Sequence, residues 1–388
     1  MAKFIFINTH PIQYNAPMYR SFVSSNLDFE VWYLSKGQLY DIGFGQNVVW
    51  DNDVINGYPY KWINYNIGTG NVNSWFGLIN LGLIGSIFRL REKCFLVVPA
   101  WMPLSFLIAA ILGKLLGHKI VLRTETPLKQ FLFEKSFSFP LKFIYAKFWT
   151  YLGSYFVYIG TQNYKFWTYL NVKEENLLPA GYAVDNDNFD ISKYLTLDRN
   201  SIRFKYDFNP STFVIVFSGK LIYKKRPLIL ISAIKKLISD NLDIGLLILG
   251  DGELKGEILD LIENEKNIHF LGFVNQSELP LYYFISDALC LPSGYGETWG
   301  LVANEALNFN LRLIVSDLVG CSDDLVYPDQ GCIFKCDSLD DLILKIRVMY
   351  DNFINGGVVN GTPASFYENF SFHKYYLCLN AIVEYDNK

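Results

Sequence analysis

Two glutamates lie in a glycine-rich stretch that is suited to binding an extended polar ligand. The stretch, PSGYGETWGLVANEA, runs from Pro292 to Ala306. Glycines surround Glu297 directly after a strand-like apolar run, and a helix is predicted to follow. Glu305 comes eight residues later, which is about 12 Å along a continuous helix. The two carboxylates can therefore contact different parts of one ligand. The alternative is a capping carboxylate plus a surface glutamate.

Two other strand-like runs end in groups that suit a phosphate. Phe213–Ser218 is followed by a glycine and Lys220, and Lys225 comes just before a predicted helix. Lysines in this position would neutralise a diphosphate, and a helix N-terminus favours an anion. The alternative is a solvated basic turn. Ile244–Leu249 leads into a Gly-Asp-Gly turn that begins at Gly250, a feature that many α/β proteins share.

In this order, these motifs resemble the retaining glycosyltransferases of family 4, which have the two-domain GT-B fold. The resemblance covers about residues 210–320 and is carried by the Gly-Lys strand end, the downstream lysine, Gly-Asp-Gly, Phe270-Leu271-Gly272, Pro-Ser and the E-x7-E pair. Two departures occur. Lys220 stands where the family usually has arginine, so that a point charge replaces a planar fork. Arg226 stands at a common glycine position.

The resemblance implies a role for each of these residues. Glu297 would be a catalytic residue that binds hydroxyls of the donor sugar, and Glu305 would bind the ribose hydroxyls. The other ligands of the donor sugar and diphosphate would be Lys220, Lys225, Gly296, Thr298, Trp299, Gly300 and Leu301. The nucleoside would also contact Phe273, Val274 and Gly250. A UDP-sugar is favoured over a GDP-sugar because uridine is the commonest donor base in the family. We expect no cofactor and no metal.

The first half of the chain offers fewer candidates. His10 follows the first strand-like run, where a neutral imidazole can bind a sugar or phosphate oxygen and Gln13 can read hydroxyls. The alternative is a helix-entry turn that starts at Pro11. Arg123 and Glu125 end another run and are candidate acceptor or sugar ligands, or an internal salt bridge. The family's histidine after the fourth strand is absent. Either His10, our second catalytic candidate, or a polar group near Arg123 replaces it, or that contact is lost.

Two Asp-x-Asp triplets, which begin at Asp51 and Asp185, raise the question of a metal. In a different glycosyltransferase fold such triplets hold a divalent ion at the nucleotide. Here one lies in an Asn/Gly-rich loop and the other near the predicted domain boundary, where turn chemistry explains both. The six cysteines show no metal-ligand spacing with histidine, and we expect reduced thiols in a cytoplasmic protein.

Short β-rich runs separated by helical segments predict the fold. The runs are 4–8, 29–34, 94–98, 119–123 and 155–160 in the first half and 213–219, 244–250, 268–272, 288–292 and 312–316 in the second. Continuous apolar strands joined by helices predict parallel sheets covered on both faces. We therefore predict an α/β, GT-B architecture of two doubly wound, Rossmann-like domains that face each other across a cleft. The expected divisions are an acceptor domain over 1–190, a nucleotide-sugar domain over 191–365 and a helix over 366–388 that packs back toward the first domain.

Composition excludes some classes of protein. The chain has 388 residues, 17% aromatic and 19% charged, which argues against intrinsic disorder. The net charge of −4 argues against a globally basic nucleic-acid binder. The halves differ, since residues 1–195 carry 17 Lys/Arg and 13 Asp/Glu (+4) and the rest carry 17 and 25 (−8). Such an asymmetry in net charge suggests that the two halves of the chain face different partners.

One stretch combines cations with aromatic residues. Residues 114–149 carry seven Lys/Arg against two glutamates, among many Phe, Tyr and Trp. This mixture suits an anionic membrane surface, and the alternative is an ordinary helix with outward lysines. The apolar run Trp101–Leu116 is too short to span a bilayer and is interrupted, so we expect a buried helix. The expected location is cytoplasmic, with peripheral contact at the inner face of a membrane as the further option.

The residues and the resemblance together predict a retaining, metal-independent glycosyltransferase of the hexosyltransferase type. It would move a sugar from a nucleoside-diphosphate sugar to a hydroxyl of a saccharide or lipid-linked acceptor. Short sequences such as HPIQY and RTET resemble those of bacterial envelope-polysaccharide transferases, which indicates polysaccharide, lipopolysaccharide or glycolipid assembly. The alternatives are a GT-B epimerase or phosphorylase that acts on sugar phosphates, and a non-catalytic, membrane-docked scaffold.

Overall fold

A computed structural model describes residues 2–37, 40–41, 43–51, 53–72, 74–133, 139–357 and 361–387. The strands are β1 (Phe4–Asn8), β2 (Phe29–Tyr33), β3 (Tyr40–Asp41), β4 (Gln46–Asn47), β5 (Tyr60–Trp62), β6 (Asn66–Ile67), β7 (Ile79–Asn80), β8 (Phe95–Val98), β9 (Lys119–Arg123), β10 (Tyr155–Tyr158), β11 (Leu177–Pro179), β12 (Phe213–Ser218), β13 (Ile244–Leu249), β14 (Ile268–Gly272), β15 (Ala288–Leu291), β16 (Arg312–Ser316) and β17 (Gly331–Phe334).

The α-helices are α1 (Asn15–Ser24), α2 (Leu81–Phe88), α3 (Leu104–Leu115), α4 (Leu128–Phe133), α5 (Phe139–Leu152), α6 (Thr161–Tyr169), α7 (Arg199–Arg203), α8 (Pro227–Ser239), α9 (Lys255–Ile262), α10 (Leu279–Ile285), α11 (Leu301–Leu307), α12 (Ser322–Leu325), α13 (Leu339–Ile354), α14 (Ala364–Asn369) and α15 (Phe372–Asp386). Short 3₁₀ turns occupy Glu174–Asn176, Ile191–Tyr194, Phe204–Tyr206 and Tyr223–Lys225.

The chain divides into two compact units. Unit 1 comprises Met1–Gln38, Asp53–Tyr182 and Asn369–Lys388, and unit 2 comprises Leu39–Asn52 and Ala183–Glu368. The expected boundaries at 190/191 and 365/366 compare with observed divisions at 182/183 and 368/369. The C-terminal helix α15 is part of unit 1. The segment Leu39–Asn52, which the sequence places in the first half, is part of unit 2.

Unit 1 is built on a seven-stranded sheet in the order β11-β10-β9-β8-β1-β2-β5. Every pairing in it is parallel. Strand β1 shows why both faces are covered, because alternate side chains point to opposite faces. Ile5 and Ile7 belong to one apolar core, which includes residues of α2, α3 and α6. Phe4 and Phe6 belong to the other, which includes residues of α1 and α15.

Unit 2 has a six-stranded, all-parallel sheet in the order β14-β13-β12-β15-β16-β17. All six residues of β12 and all six of β13 are buried, which is typical of a central parallel strand. The predicted α/β class, with two doubly wound parallel-sheet units, is confirmed. Parallel strands bring their carboxyl ends to one edge of the sheet, so the motifs after β12, β13, β14 and β15 meet there.

A buried ion pair ties the start of unit 2 to its sheet. Arg203 of α7 is fully buried, and its guanidinium donates a 2.6 Å hydrogen bond to the Asp287 carboxylate. The backbone N–H of Val214 in β12 donates to the same carboxylate oxygen at 2.8 Å. Arg199 donates to the other oxygen at 2.8 Å. Asp287 therefore joins α7 to the central strand through charge-assisted hydrogen bonds.

The apolar run at 101–116 forms α3, a helix of twelve residues. Its buried face includes Phe106, Ala109 and Ala110, as expected for a helix packed on a sheet. Within the described ranges, no helix combines the length and the hydropathy needed to cross a membrane. All six cysteines are free thiols.

Candidate functional site

The carboxyl edge of the unit 2 sheet depends on close backbone contact between two strand ends. Gly250, which follows β13, has φ of +149°, and a Cβ placed on it would lie 1.8 Å from the carbonyl oxygen of Gly219. Only glycine allows these two turns to approach so closely. This contact fixes the position of Lys220, the residue after Gly219, against the turn that leads into α9.

Glu297 and Lys225 come together at this edge. The Lys225 ammonium forms an ion pair with the Glu297 carboxylate, and Glu297 is 8% exposed. Burial acts to raise the pKa of Glu297, but the charges of Lys225 and Lys224 outweigh it, and the pKa lies below its usual value. Glu297 is thus held as a carboxylate. Its own carbonyl accepts a hydrogen bond from the N–H of Gly320 at 3.1 Å, which fixes the loop.

Glu305, the second glutamate of the motif, lies in α11 and is fully buried. Its carboxylate accepts a 2.7 Å hydrogen bond from the Tyr283 hydroxyl of α10. The helix begins at Leu301, after Gly300, whose φ of +97° makes the turn. The indole N–H of Trp299 donates to Asn304 at 2.8 Å and so fastens the loop to the helix. The roles predicted for Gly296 and for residues 298–301 stay predictions, as does the contact of Glu305 with a ribose.

Lys220 has a partner that the sequence did not suggest. The Asp41 carboxylate lies 2.8 Å from the Lys220 ammonium, with both of its oxygens at that distance. Asp41 belongs to the short β3–β4 hairpin and also accepts hydrogen bonds from the N–H groups of Gly43 and Phe44. Burial acts to raise the pKa of Asp41, but the hydrogen bonds and charge of Lys220 outweigh it and lower the pKa. An anion therefore already contacts the lysine that we expect to bind phosphate.

The same hairpin segment covers the predicted nucleoside contacts. Phe273 packs edge-on against Phe44, with ring centroids 5.1 Å apart, and against Trp50 at 5.9 Å. Asn275 donates to the Val49 carbonyl at 3.0 Å. Val274, which lies between Phe273 and Asn275 in the sequence, is half-buried. Phe44, Trp50 and Asp41 were missed by the sequence analysis because they come from a segment remote in the chain, and no local pattern signals which unit they join.

Arg226 explains one departure from the family pattern. Directly before α8, its backbone is in the left-handed region, with φ of +52°. Glycine adopts this conformation without strain. Its guanidinium forms an ion pair with Asp337, in which Nη2 lies 2.8 Å from the carboxylate. The ion pair offsets part of the backbone strain, so that arginine is tolerated at this position.

In unit 1, three of the four candidate residues line one cavity of about 290 Å³. These are His10, Arg123 and Glu125; Gln13 is half-buried in the turn before α1 and is not among the described lining residues. The ring Nδ1 of His10 lies 2.9 Å from the Thr9 hydroxyl. Burial lowers the pKa of His10, which favours the neutral imidazole. Burial acts to lower the pKa of Arg123, but the neighbouring Tyr375, Tyr182 and Glu125 side chains outweigh it and raise the pKa. Glu125 thus interacts with Arg123 through its charge, although no direct salt bridge joins the two among the described residues.

The two Asp-x-Asp triplets form turn contacts, and Asp51 also accepts a hydrogen bond from the N–H of Ser277 at 3.1 Å. Asp53 accepts hydrogen bonds from the N–H groups of Asn56 and Ile55, which lower its pKa to about 2. Asp185 accepts from the N–H of Asp187 at 3.2 Å. In the part of the chain that the structure describes, no cluster of three or more His, Cys, Asp or Glu could hold a metal ion. Asn52, in the middle of the first triplet, lies outside that part.

The cation-rich stretch 114–149 runs from the end of α3 to α5. Four large apolar side chains are exposed at helical spacing on α5: Leu141, Ile144, Phe148 and Tyr151. The Lys114 ammonium lies 4.2 Å from the centre of the Tyr151 ring. Of the residues that motivated the membrane prediction, Glu134, Lys135 and Phe137 lie outside the described residues.

Comparisons with known proteins agree with this organisation. Residues 198–353, which lie within unit 2, match the family model described as Glycosyl transferases group 1. The O-antigen biosynthesis glycosyltransferase WbnH of Escherichia coli is 30% identical over 147 residues, which is 37% of this chain and 39% of WbnH. The chain thus spans well under half the length of this curated relative.

Two solved structures show the likeness over the whole chain. HepE of Anabaena, crystallised with UDP, superimposes with a TM-score of 0.74 at 13% sequence identity. The superposition covers 99% of this chain and 100% of the HepE chain. The lipopolysaccharide outer core galactosyltransferase WaaB superimposes with a TM-score of 0.68 at 14% sequence identity, over 98% of this chain and 99% of the WaaB chain. At such identities the likeness concerns the fold. The chain therefore has the GT-B fold, and its residues 198–353 match the glycosyl transferases group 1 family model.

Proposed function

We propose that this protein is a retaining glycosyltransferase of family 4 that moves a hexose from a nucleoside-diphosphate sugar to a hydroxyl acceptor. The observation that carries the proposal is the pairing of Glu297 with Lys225 at the carboxyl edge of unit 2. A buried carboxylate and an ammonium at that edge provide both groups that the donor requires. The carboxylate accepts hydrogen bonds from sugar hydroxyls, and the ammonium compensates the charge of the diphosphate.

The proposed chemistry uses residues of unit 2 for the donor. Lys225 and Lys220 bind the diphosphate and stabilise the negative charge that builds up as the sugar–phosphate bond breaks. Glu297 orients the sugar and is not a covalent nucleophile. The acceptor attacks from the face on which the diphosphate leaves, so the anomeric configuration is retained. Glu305, Gly250, Phe273 and Val274 are the proposed nucleoside contacts.

His10 is the proposed contribution of unit 1 to the reaction. As a neutral imidazole in a cavity, it can accept or donate one hydrogen bond to a hydroxyl without bringing a charge. Arg123 and Glu125, in the same cavity, are proposed acceptor ligands.

The named relatives support the substrate classes. HepE has been crystallised with UDP and with UDP-glucose, which supports a UDP-sugar as the donor. WbnH is named for O-antigen biosynthesis and WaaB for the lipopolysaccharide outer core, which supports a saccharide or lipid-linked acceptor in envelope assembly. We propose that the protein acts in the cytoplasm, without a cofactor or a metal.

Donor turnover tests this function directly. UDP- and GDP-sugars are incubated with the protein in EDTA, and the sugar released by slow hydrolysis is followed by proton NMR. We expect one UDP-sugar to be consumed and the sugar to appear first with the anomeric configuration of the donor. Initial release of the opposite anomer would contradict retention, and activity only with an added divalent ion would contradict the metal-free mechanism. Conversion of the donor to an isomeric nucleotide sugar would indicate an epimerase.

The Asp41 carboxylate competes with the donor for Lys220 in this account. Asp41→Asn should therefore raise the affinity for UDP by up to about fivefold, because a half-exposed ion pair is worth up to about 1 kcal/mol. Calorimetric titration of both proteins measures the effect. Glu175→Gln, which removes an exposed ion pair with Lys173 in unit 1, is the control and should leave UDP affinity unchanged. A weaker affinity in Asp41→Asn would show that Asp41 does not compete with the donor.

We also propose that the exposed face of α5 contacts an anionic membrane. Its residues 141, 144, 148 and 151 present apolar surface, and Lys142 and Lys147 lie on the same helix. In a flotation assay we expect binding to vesicles that contain phosphatidylglycerol and not to neutral vesicles, with Ile144→Glu lowering the bound fraction at least about fivefold. Leu195→Glu, at an exposed apolar residue of unit 2, is the control. Equal flotation of the two variants would contradict the proposed face.

A further inference from the structure

Arg123 brings a buried hydrogen-bond donor, the Nε–H of its guanidinium, into the unit 1 cavity. The residue as a whole is half-buried, but its Nε is buried and has no hydrogen-bond partner. Its contacts are the ring faces of Tyr375 and Tyr182, whose centroids lie 4.5 and 5.0 Å from Cζ. A buried N–H without an acceptor is costly, so this donor favours a group that the protein itself does not supply.

A second donor on the cavity wall is also unsatisfied. Tyr375 of α15 is 2% exposed and lines the cavity, and its hydroxyl has no hydrogen-bond partner. The neighbouring Tyr182 differs, because its hydroxyl is hydrogen-bonded to the Glu125 carboxylate. Glu125, the one carboxylate among the described lining residues, is therefore hydrogen-bonded to Tyr182, whereas the Arg123 Nε–H and the Tyr375 hydroxyl have no hydrogen-bond partner.

Two donors that lack acceptors, one of them charged, select for anionic oxygen. A guanidinium matches the planar, two-oxygen edge of a carboxylate or phosphate better than it matches a single hydroxyl. The volume of about 290 Å³ is at the lower end of the range for small-molecule sites, about 300–1,000 Å³. It suits one sugar-sized group.

We propose that this cavity binds the acceptor through a carboxylate or phosphate group, with Arg123 and Tyr375 as the donors. This inference rests on the proposed function and specifies its acceptor as an acidic saccharide or a sugar phosphate. His10 lines the same cavity, so an acceptor held by its anionic group would present its hydroxyls near the imidazole.

Calorimetry on the full chain tests the proposal. Saturating UDP fills the unit 2 site first, and glucuronate and inorganic phosphate are then titrated in chloride buffer, with glucose as the uncharged control. We expect at least one anion to bind about tenfold or more tightly than glucose, and the one that does so distinguishes a carboxylate from a phosphate. If neither anion binds more tightly than glucose, the proposal is overturned.

Two variants assign the binding to these donors. Arg123→Gln should abolish the preference for the anion. Tyr375→Phe should weaken anion binding about tenfold, the value of a hydrogen bond to a charged group, without lowering the melting temperature of the free protein. Tyr376→Phe, the next residue of α15 and not among the described lining residues, is the matched control.

Unchanged anion affinity in Tyr375→Phe would overturn the assignment even if Arg123→Gln failed to fold. UDP affinity, measured in the same preparations, reports separately on the proposed function.

Discussion

Glu297→Gln should lower sugar transfer by on the order of 10²–10³-fold, the cost of removing one preorganised group from a catalytic site. The substitution keeps the shape of the side chain but removes the charge that pairs with Lys225. Because glutamine also accepts hydrogen bonds less strongly than a carboxylate, the donor sugar loses its orientation. Initial rates with the preferred UDP-sugar measure the effect, and circular dichroism confirms that the variant is folded.

A control separates this effect from a general loss of negative charge. Glu263, exposed at the end of α9, provides the matched variant Glu263→Gln, for which we expect the rate of the unmodified protein. Transfer by Glu297→Gln at the same rate as by Glu263→Gln would show that Glu297 does not act in the reaction.

Asp287→Ala should destabilise unit 2 by about 3–5 kcal/mol, because removing one partner of a buried ion pair leaves an uncompensated charge. The affected charge is that of Arg203, which is fully buried, and the N–H of Val214 in β12 loses its acceptor as well. The free energy of unfolding in urea measures the loss, and UDP present during the titration identifies the transition of unit 2 by stabilising it.

A more exposed carboxylate in the same unit provides the comparison. Asp240 pairs with Lys236 and Arg347 near the surface, so Asp240→Ala should cost less than about 1 kcal/mol. A cost for Asp287→Ala no larger than that for Asp240→Ala would show that the buried network does not stabilise the unit.

The core strands and the position of the motifs that follow them could be predicted because their signals are local. β12 and β13 are continuous apolar runs, which predict central parallel strands. The motifs that follow them lie beyond the carboxyl ends of these strands, where parallel sheets bind ligands. The pairing of Lys225 with Glu297 follows from the same rule, because both residues come after neighbouring strands. The strands β11 and β17 were not predicted, since both are short and lie at sheet edges, where burial imposes less pattern.

What could not be predicted depends on contacts between remote segments. The segment Leu39–Asn52 joins unit 2, and its Asp41 pairs with Lys220 across 179 positions of sequence. The unit 1 cavity likewise receives Tyr375 from α15, far from His10 and Arg123 in the chain. No local periodicity reports such contacts, because they are determined by how whole elements pack.

The central claim is that unit 2 binds a nucleoside diphosphate through Lys225 beside Glu297. Calorimetric titration of UDP, GDP and ADP in EDTA, with the unmodified protein and Lys225→Ala, tests it most directly. We predict that UDP binds at one site per chain without a metal, and that Lys225→Ala weakens it about tenfold or more, as expected for a charge-assisted hydrogen bond. If none of the three nucleotides bound, or if UDP bound equally well to Lys225→Ala, the assignment of this site would be contradicted.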